Sequence, residues 1–181
     1  MSPTDLLVPT YCNMLRTLRG ILTKAAEQGP ADTDRLMAAQ LAPDMLPLAA
    51  QIRFAAYQAQ EAACRLRGVP IPASLDIVAA EGRGAADAPG TLAEAVARIE
   101  EALSFLDGLE DGTLDGDAMR AISLTLPGGL TFDMTATQFV RDWALPQFYF
   151  HIVTAYAILR HHGVSIGKAD YVPHMFAYLR S

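Results

Sequence analysis

The alternation of apolar and polar residues predicts four long helices. In four stretches the apolar residues recur every three or four positions, which is the period of an amphipathic helix. These stretches cover about residues 3–28, 42–67, 92–106 and 135–162, and Pro146 is expected to kink the last of them. The second stretch is rich in alanine, which predicts that its backbone lies close to neighbouring helices.

Residues suited to helix ends flank these stretches. Ser2 or Thr4 is expected to cap the first helix, and the second is expected to open at 42–44, where a proline and an aspartate suit a first turn. Thr91 and Glu94 have the spacing of a capping box, which predicts the start of the third helix.

A period of two replaces the helical period between the third and fourth helices. Residues 122–126 and 130–134 each alternate between apolar and polar side chains, and Pro127-Gly128-Gly129 separates them. This pattern predicts a β-hairpin with one apolar face. The remaining segments are interpreted as a short helical turn at 32–40, a long Pro-, Gly- and Ala-rich connection at 69–90, and a tail at 164–181 that packs on the body.

Length and composition favour one domain. The chain has 181 residues, of which 51% are hydrophobic, and this is enough to enclose a substantial core. We therefore expect a single all-α domain over residues 1–181, a four-helix bundle with a small β-hairpin between helices three and four.

Charge and cysteine content narrow the classes of function. A net charge of −6 argues against nucleic acid as a partner, because phosphate binding draws on clustered Lys and Arg. No apolar run is long enough to span a membrane and no signal peptide is recognisable, so we expect a cytoplasmic protein without membrane contact. Cys12 and Cys64 are interpreted as buried free thiols.

The candidate chemistry centres on His151, which lies in the middle of a strongly apolar helix. Gln147 precedes it by one turn and shares its face. On the second helix Asp44 and Gln51 are seven positions apart, so they also share a face. If the second and fourth helices are neighbours, these side chains converge inside the bundle.

Two interpretations of this group remain open. It could form a ligand pocket with Asp44 toward its mouth, or an internal network in which the amides satisfy His151. A metal bound by His151 is a weaker alternative, since catalytic zinc normally takes three N, O or S ligands from the protein and amide oxygens suit it poorly. The aromatic residues around the fourth helix, Trp143, Phe148, Tyr149, Phe150 and Tyr156, additionally predict a homodimer.

Two segments, LAPDMLPLAAQIRFAAYQA and LPQFYFHIVTAYAILRHHGVSIGKADY, together with the hairpin resemble the DUF1993 family, which is similar to the DinB/YfiT-like superfamily. The resemblance implies a four-helix bundle in up-up-down-down order and often a dimer. Many DinB-like proteins bind a divalent metal through three histidines. By this resemblance His151 matches one of them, whereas Gln147 and Gln51 stand at the other two positions.

These observations support three hypotheses. The first is a polar pocket that binds a small ligand or is non-catalytic, with no cofactor and no three-histidine metal site. The second, implied by the resemblance, is a metal-dependent thiol transferase or hydrolase that uses His151 with Zn, Ni or Mn. The third is a structural homodimer that binds partners, so the sequence leaves open whether the protein is an enzyme.

Overall fold

Long helices and short helical segments make up most of the computed structural model, which describes residues 1–29 and 33–180. In chain order the elements are α1 (Pro3–Gln28), α2 (Thr33–Leu36), α3 (Leu48–Arg67), α4 (Ala73–Gly84), α5 (Leu92–Asp107), β1 (Ala121–Thr125), β2 (Thr131–Thr135), α6 (Ala136–Gln138), a π-helical segment (Phe139–Ala144), α7 (Leu145–His161), α8 (Lys168–Tyr171) and a 3₁₀ helix (Pro173–Tyr178).

Helix α3 lies at the centre of the molecule. It packs against α7, α5 and α4, while α1 packs against α5 and α7. Small side chains let the neighbouring helices approach it closely, as the alanine content predicted. The fully buried alanines of α3 are Ala49, Ala50, Ala55, Ala56, Ala59 and Ala63.

The predicted ends of two helices are confirmed. The Ser2 hydroxyl accepts a hydrogen bond from the Asp5 backbone N–H at 3.2 Å at the start of α1. At the start of α5, Thr91 and Glu94 each accept a hydrogen bond from the other's backbone N–H, at 3.2 and 2.7 Å. This reciprocal pairing is the expected capping box.

The predicted hairpin is confirmed as an antiparallel pair of strands. Ile122 lies opposite Met134 and Leu124 lies opposite Phe132. Ile122 and Leu124 are buried, so β1 turns its apolar face toward the body of the protein. The Arg65 guanidinium donates to the Ser123 carbonyl at 3.1 Å, which fastens the hairpin to α3.

The expected start of the second helix was wrong. It begins at Leu48 rather than at 42–44, with Pro47 in an extended conformation at its N-cap. A residue that precedes proline is disfavoured in the helical region, so the helix does not extend back through Leu46. Asp44 therefore lies in an exposed turn and not on the helix face that the sequence interpretation gave it.

The interpretation of residues 69–90 as a connection alone was also wrong, because this segment contains α4. Pro72 stands at its N-cap, and its buried residues are Leu75, Val78, Ala79 and Gly82. These residues have helical spacing, but the surrounding Pro, Gly and Ala residues concealed the pattern.

The expected helix over 135–162 is divided into α6, the π-helical segment and α7. The Leu145 N–H donates to the Val140 carbonyl five positions earlier, immediately before Pro146. In a regular α-helix the ring of a proline clashes with the carbonyl four residues earlier. A wider helical turn just before Pro146 gives that ring room.

The remaining segments lie largely as expected. Thr33–Leu36 forms the short helical turn, whereas Asp32 and Pro30 fall outside the described residues. The tail contacts the body through the Tyr171 ring, whose centroid is 5.6 Å from that of Tyr156, and through an ion pair of Lys24 with Asp170. Cys12 and Cys64 are buried free thiols. Among the described helices, none is both long and apolar enough to cross a membrane.

Candidate functional site

His151 and Gln51 meet in the interior between α7 and α3. The His151 Nδ1 and Gln51 Oε1 atoms are 2.8 Å apart, and the two residues are only 8% and 1% exposed. The contact joins residues one hundred positions apart because α3 and α7 pack side by side. The structure thus brings together two of the four candidate residues in a direct hydrogen bond.

The second hydrogen bond of Gln51 determines which nitrogen of His151 carries the proton. The Gln51 side-chain N–H donates to the Leu46 carbonyl at 3.0 Å, so its Oε1 is the atom that faces His151 and can only accept. His151 Nδ1 must therefore be the donor. In the neutral imidazole this leaves Nε2 with a lone pair, as a hydrogen-bond acceptor.

Burial keeps this imidazole uncharged. It lowers the pKa of His151 to about 4, because the charged form loses its hydration. The Phe54 ring stacks on the imidazole at a centroid distance of 5.3 Å, and the Phe150 ring meets it edge-on at 5.4 Å. At neutral pH His151 is therefore a neutral hydrogen-bonding group.

A cavity of about 440 Å³ opens beside His151. Its walls come from four parts of the fold: α3, α4, the hairpin, and the helical run through the π segment into α7. The residues that line it are Phe54, Tyr57, Gln58, Glu61, Arg65, Ala79, Arg83, Leu124, Thr125, Leu126, Pro127, Trp143, Gln147 and His151. The size lies within the usual range for small-molecule sites.

The four residues singled out from the sequence have different positions relative to this cavity. His151 and Gln147 line it. Gln51 is not among its lining residues and holds His151 by the hydrogen bond already described. Asp44 is exposed in the turn before α3 and is also not a lining residue.

Sequence reasoning missed the charged residues of the cavity wall. Glu61 is 3% exposed and lies 2.8 Å from the Arg65 guanidinium, one turn further along α3. Tyr57 lines the cavity nearby, and burial together with the adjacent Glu61 raises the pKa of its hydroxyl. The available signal was the spacing of four between Tyr57, Glu61 and Arg65, which places them on one helix face.

Several polar groups in the wall have no hydrogen-bonding partner within residues 1–29 and 33–180. They are the side-chain amides of Gln58 and Gln147, the guanidinium of Arg83, the indole Nε1–H of Trp143 and the Nε2 atom of His151. Arg83 is exposed, whereas Gln58 and His151 are buried. The wall thus offers both donors and acceptors to a molecule inside the cavity.

Comparison with known proteins agrees with the earlier resemblance. The family model described as a domain of unknown function, DUF1993, matches residues 4–172. The chain belongs to the DUF1993 family. This DUF1993 protein is also similar to a crystal structure described as a DinB family member protein from Shewanella denitrificans, with 34% sequence identity and a TM-score of 0.74. That match covers 93% of this chain and 90% of the other. A search of curated proteins found no match.

The residues of this DUF1993 protein do not fit the three-histidine metal site of DinB-like proteins. By the resemblance described above, His151 stands at one of the three ligand positions and the amides of Gln147 and Gln51 stand at the other two. Both polar atoms of Gln51 already have protein partners. Within the described part of the chain, no group of three His, Cys, Asp or Glu side chains could hold a metal ion. Amide oxygens are poor partners for zinc, so this donor set does not favour a transition metal.

Proposed function

We propose that this DUF1993 protein binds a small organic molecule in the cavity beside His151, without a metal and without catalysing a reaction on it. The observation that carries the proposal is the set of polar side chains in the wall that have no described protein partner. Binding sites typically combine apolar walls with a few such convergent polar groups. Phe54, Trp143 and Leu124 supply the apolar part.

The character of His151 supports binding rather than catalysis. A general base works best when its pKa lies near the working pH, whereas burial lowers the pKa of His151 to about 4. Gln51 also fixes Nδ1, and so holds Nε2 as an acceptor in one orientation. A fixed, neutral acceptor selects for a donor group on the ligand.

A fragment screen followed by NMR tests this function. Trp143 is the only tryptophan of the chain and lines the cavity, so its single indole N–H resonance reports occupancy there. We expect fragments from a chemically mixed library to shift this resonance and to bind more weakly to a Gln58→Leu/Gln147→Leu variant. The control is Gln28→Leu, which removes a side-chain amide at the end of α1, outside the cavity wall. Absence of any hit at millimolar concentration would overturn the proposal.

We further propose that the four long helices form an up-up-down-down bundle and that the protein is a cytoplasmic homodimer.

Support for the dimer is the exposure of Tyr149, Phe150 and Val153 on one side of α7, at 37%, 53% and 48%. A two-fold axis beside such a stripe would pair it with the same stripe of a second copy and remove both from water. Sedimentation is expected to give a dimer that Phe150→Ser/Val153→Ser weakens and Tyr178→Ser does not; a monomer would contradict the dimer proposal.

A further inference from the structure

The charges around the cavity indicate what kind of molecule it would take. Building on the proposed function, we infer that the ligand is a small carboxylate with one hydrogen-bond donor, whose acid group binds Arg83 and whose donor binds His151 Nε2. The inference rests on the partners that the wall residues have and lack.

Arg83 is the charged group of the wall that has no described partner of opposite charge. Glu61 and Arg65 neutralise each other at 2.8 Å, and Arg65 also donates to the Ser123 carbonyl. No carboxylate within residues 1–29 and 33–180 pairs with Arg83. The wall therefore has a surplus of one positive charge, although the whole chain carries a net charge of −6.

A guanidinium in a concave site favours a planar anion. Its N–H groups form a fork that matches the two oxygens of a carboxylate, and this geometric match does not require the guanidinium to be buried. Arg83 is held at the cavity by α4, which Gly82 allows to lie against the Phe54 ring. The position of this arginine is thus a consequence of how α4 packs on α3.

Next to His151 the cavity wall favours a hydrogen-bond donor and not an anion. Its Nε2 presents a lone pair, which attracts a hydroxyl or N–H group and repels a second anionic group. The amides of Gln58 and Gln147 adapt to either kind of partner. A molecule with one acid group and one donor therefore fits the wall better than a dianion, and an aromatic or aliphatic body suits Phe54 and Trp143.

Pairs of acids and amides test this inference. The probes are the ortho, meta and para isomers of hydroxybenzoate and the three matching hydroxybenzamides, titrated into the protein while the Trp143 indole N–H resonance is recorded by NMR. Each pair differs in the acid group, and the three isomers vary its distance from the hydroxyl. We expect at least one acid to bind about tenfold more tightly than its amide, the gain typical of a charge-assisted hydrogen bond.

Two arginine variants show whether Arg83 causes the preference for acid over amide. Arg83→Gln is expected to abolish the difference between acid and amide, whereas Arg67→Gln, which removes the same charge from an exposed site outside the cavity wall, is expected to keep it. The inference is overturned if acids and amides bind equally, if Arg83→Gln keeps the preference, or if no acid binds at 10 mM or below (roughly the weak limit for a specific contact). Hits from the mixed fragment library would still support the proposed function in each of these cases.

Discussion

At the scale of single residues, the hydrogen bond between His151 and Gln51 determines how the imidazole can be used. The Gln51 side-chain N–H donates to the Leu46 carbonyl and its Oε1 accepts from His151, so these two bonds restrict rotation of the amide. The histidine is left with Nδ1 bonded to Gln51 and with Nε2 free of any partner among the described residues. The pair forms part of the internal network that the sequence left open, and the ligand pocket beside it is our proposal.

Removing the acceptor is expected to destabilise the protein. Gln51→Leu leaves the buried His151 Nδ1–H without a partner, which we expect to lower the free energy of unfolding by about 1–3 kcal/mol. Urea denaturation measures the change. Gln147→Leu is the matched control, because Gln147 is half-buried and has no described partner, and it is expected to cost less than about 0.5 kcal/mol. Equal losses in both variants would contradict the account.

The low pKa of His151 predicts a loss of stability in mild acid. The pKa is about 4 in the folded protein and 6.5 for a fully hydrated histidine, so between these pH values the unfolded chain binds more protons. Stability is therefore complete above pH 6.5 and declines as the pH falls toward 4, by about 3 kcal/mol for this group.

Comparison of variants isolates this contribution from that of the carboxylates. Unfolding free energies of the wild type and His151→Gln are measured from about pH 4.5 to about pH 8. This interval covers most of the pH range in which the folded and unfolded states bind different numbers of protons at His151. The difference between them should shrink or change sign toward low pH as the wild type loses stability. The exposed His161→Gln serves as control. A difference that stays constant over the whole interval would contradict a neutral, buried His151.

At the scale of elements, the packing of α4 on α3 forms one side of the cavity. A methyl group added at Gly82 would approach the Phe54 ring to 2.9–3.1 Å, which is closer than van der Waals contact allows. The same ring stacks on His151 at a centroid distance of 5.3 Å, so a shift of Phe54 would disturb that contact. The glycine thus permits the close approach that brings Arg83 to the cavity.

Gly82→Ala is expected to destabilise the protein although alanine favours helices. Overpacking costs about 1–3 kcal/mol, which exceeds the gain of about 1 kcal/mol in helix propensity. Gly84→Ala in the same helix is the control, since an added methyl group there meets nothing within 4 Å, and it is expected to be neutral or stabilising. Thermal unfolding measures both. The steric account fails if the two variants gain stability alike.

At the scale of the whole molecule, repeating patterns were predictable and long-range partners were less so. The hairpin, the capping box and the central alanine-rich helix follow from local spacing. The pairing of Gln51 with His151 was predicted only on the condition that their two helices are neighbours. Because the sequence does not state which helices adjoin, that condition required the fold.

The missed parts of the site have the same cause. Arg83 was overlooked because α4 was interpreted as a connection, and Asp44 was assigned to a helix face that Pro47 prevents from forming. Glu61 and Arg65 were not singled out from the sequence, although they lie on α3, which packs against α4, α5 and α7. A charged side chain on a helix that is apolar over most of its surface was the signal to follow.

NMR of the His151 ring nitrogens at pH 7, before and after one equivalent of Zn²⁺, shows whether His151 is a neutral hydrogen-bond acceptor or a metal ligand. We expect a neutral imidazole with the proton on Nδ1, an unprotonated Nε2, and no change on adding zinc. A protonated Nε2, a charged ring, or a shift of Nε2 that shows zinc coordination would contradict a metal-free site in which His151 accepts a hydrogen bond from a ligand.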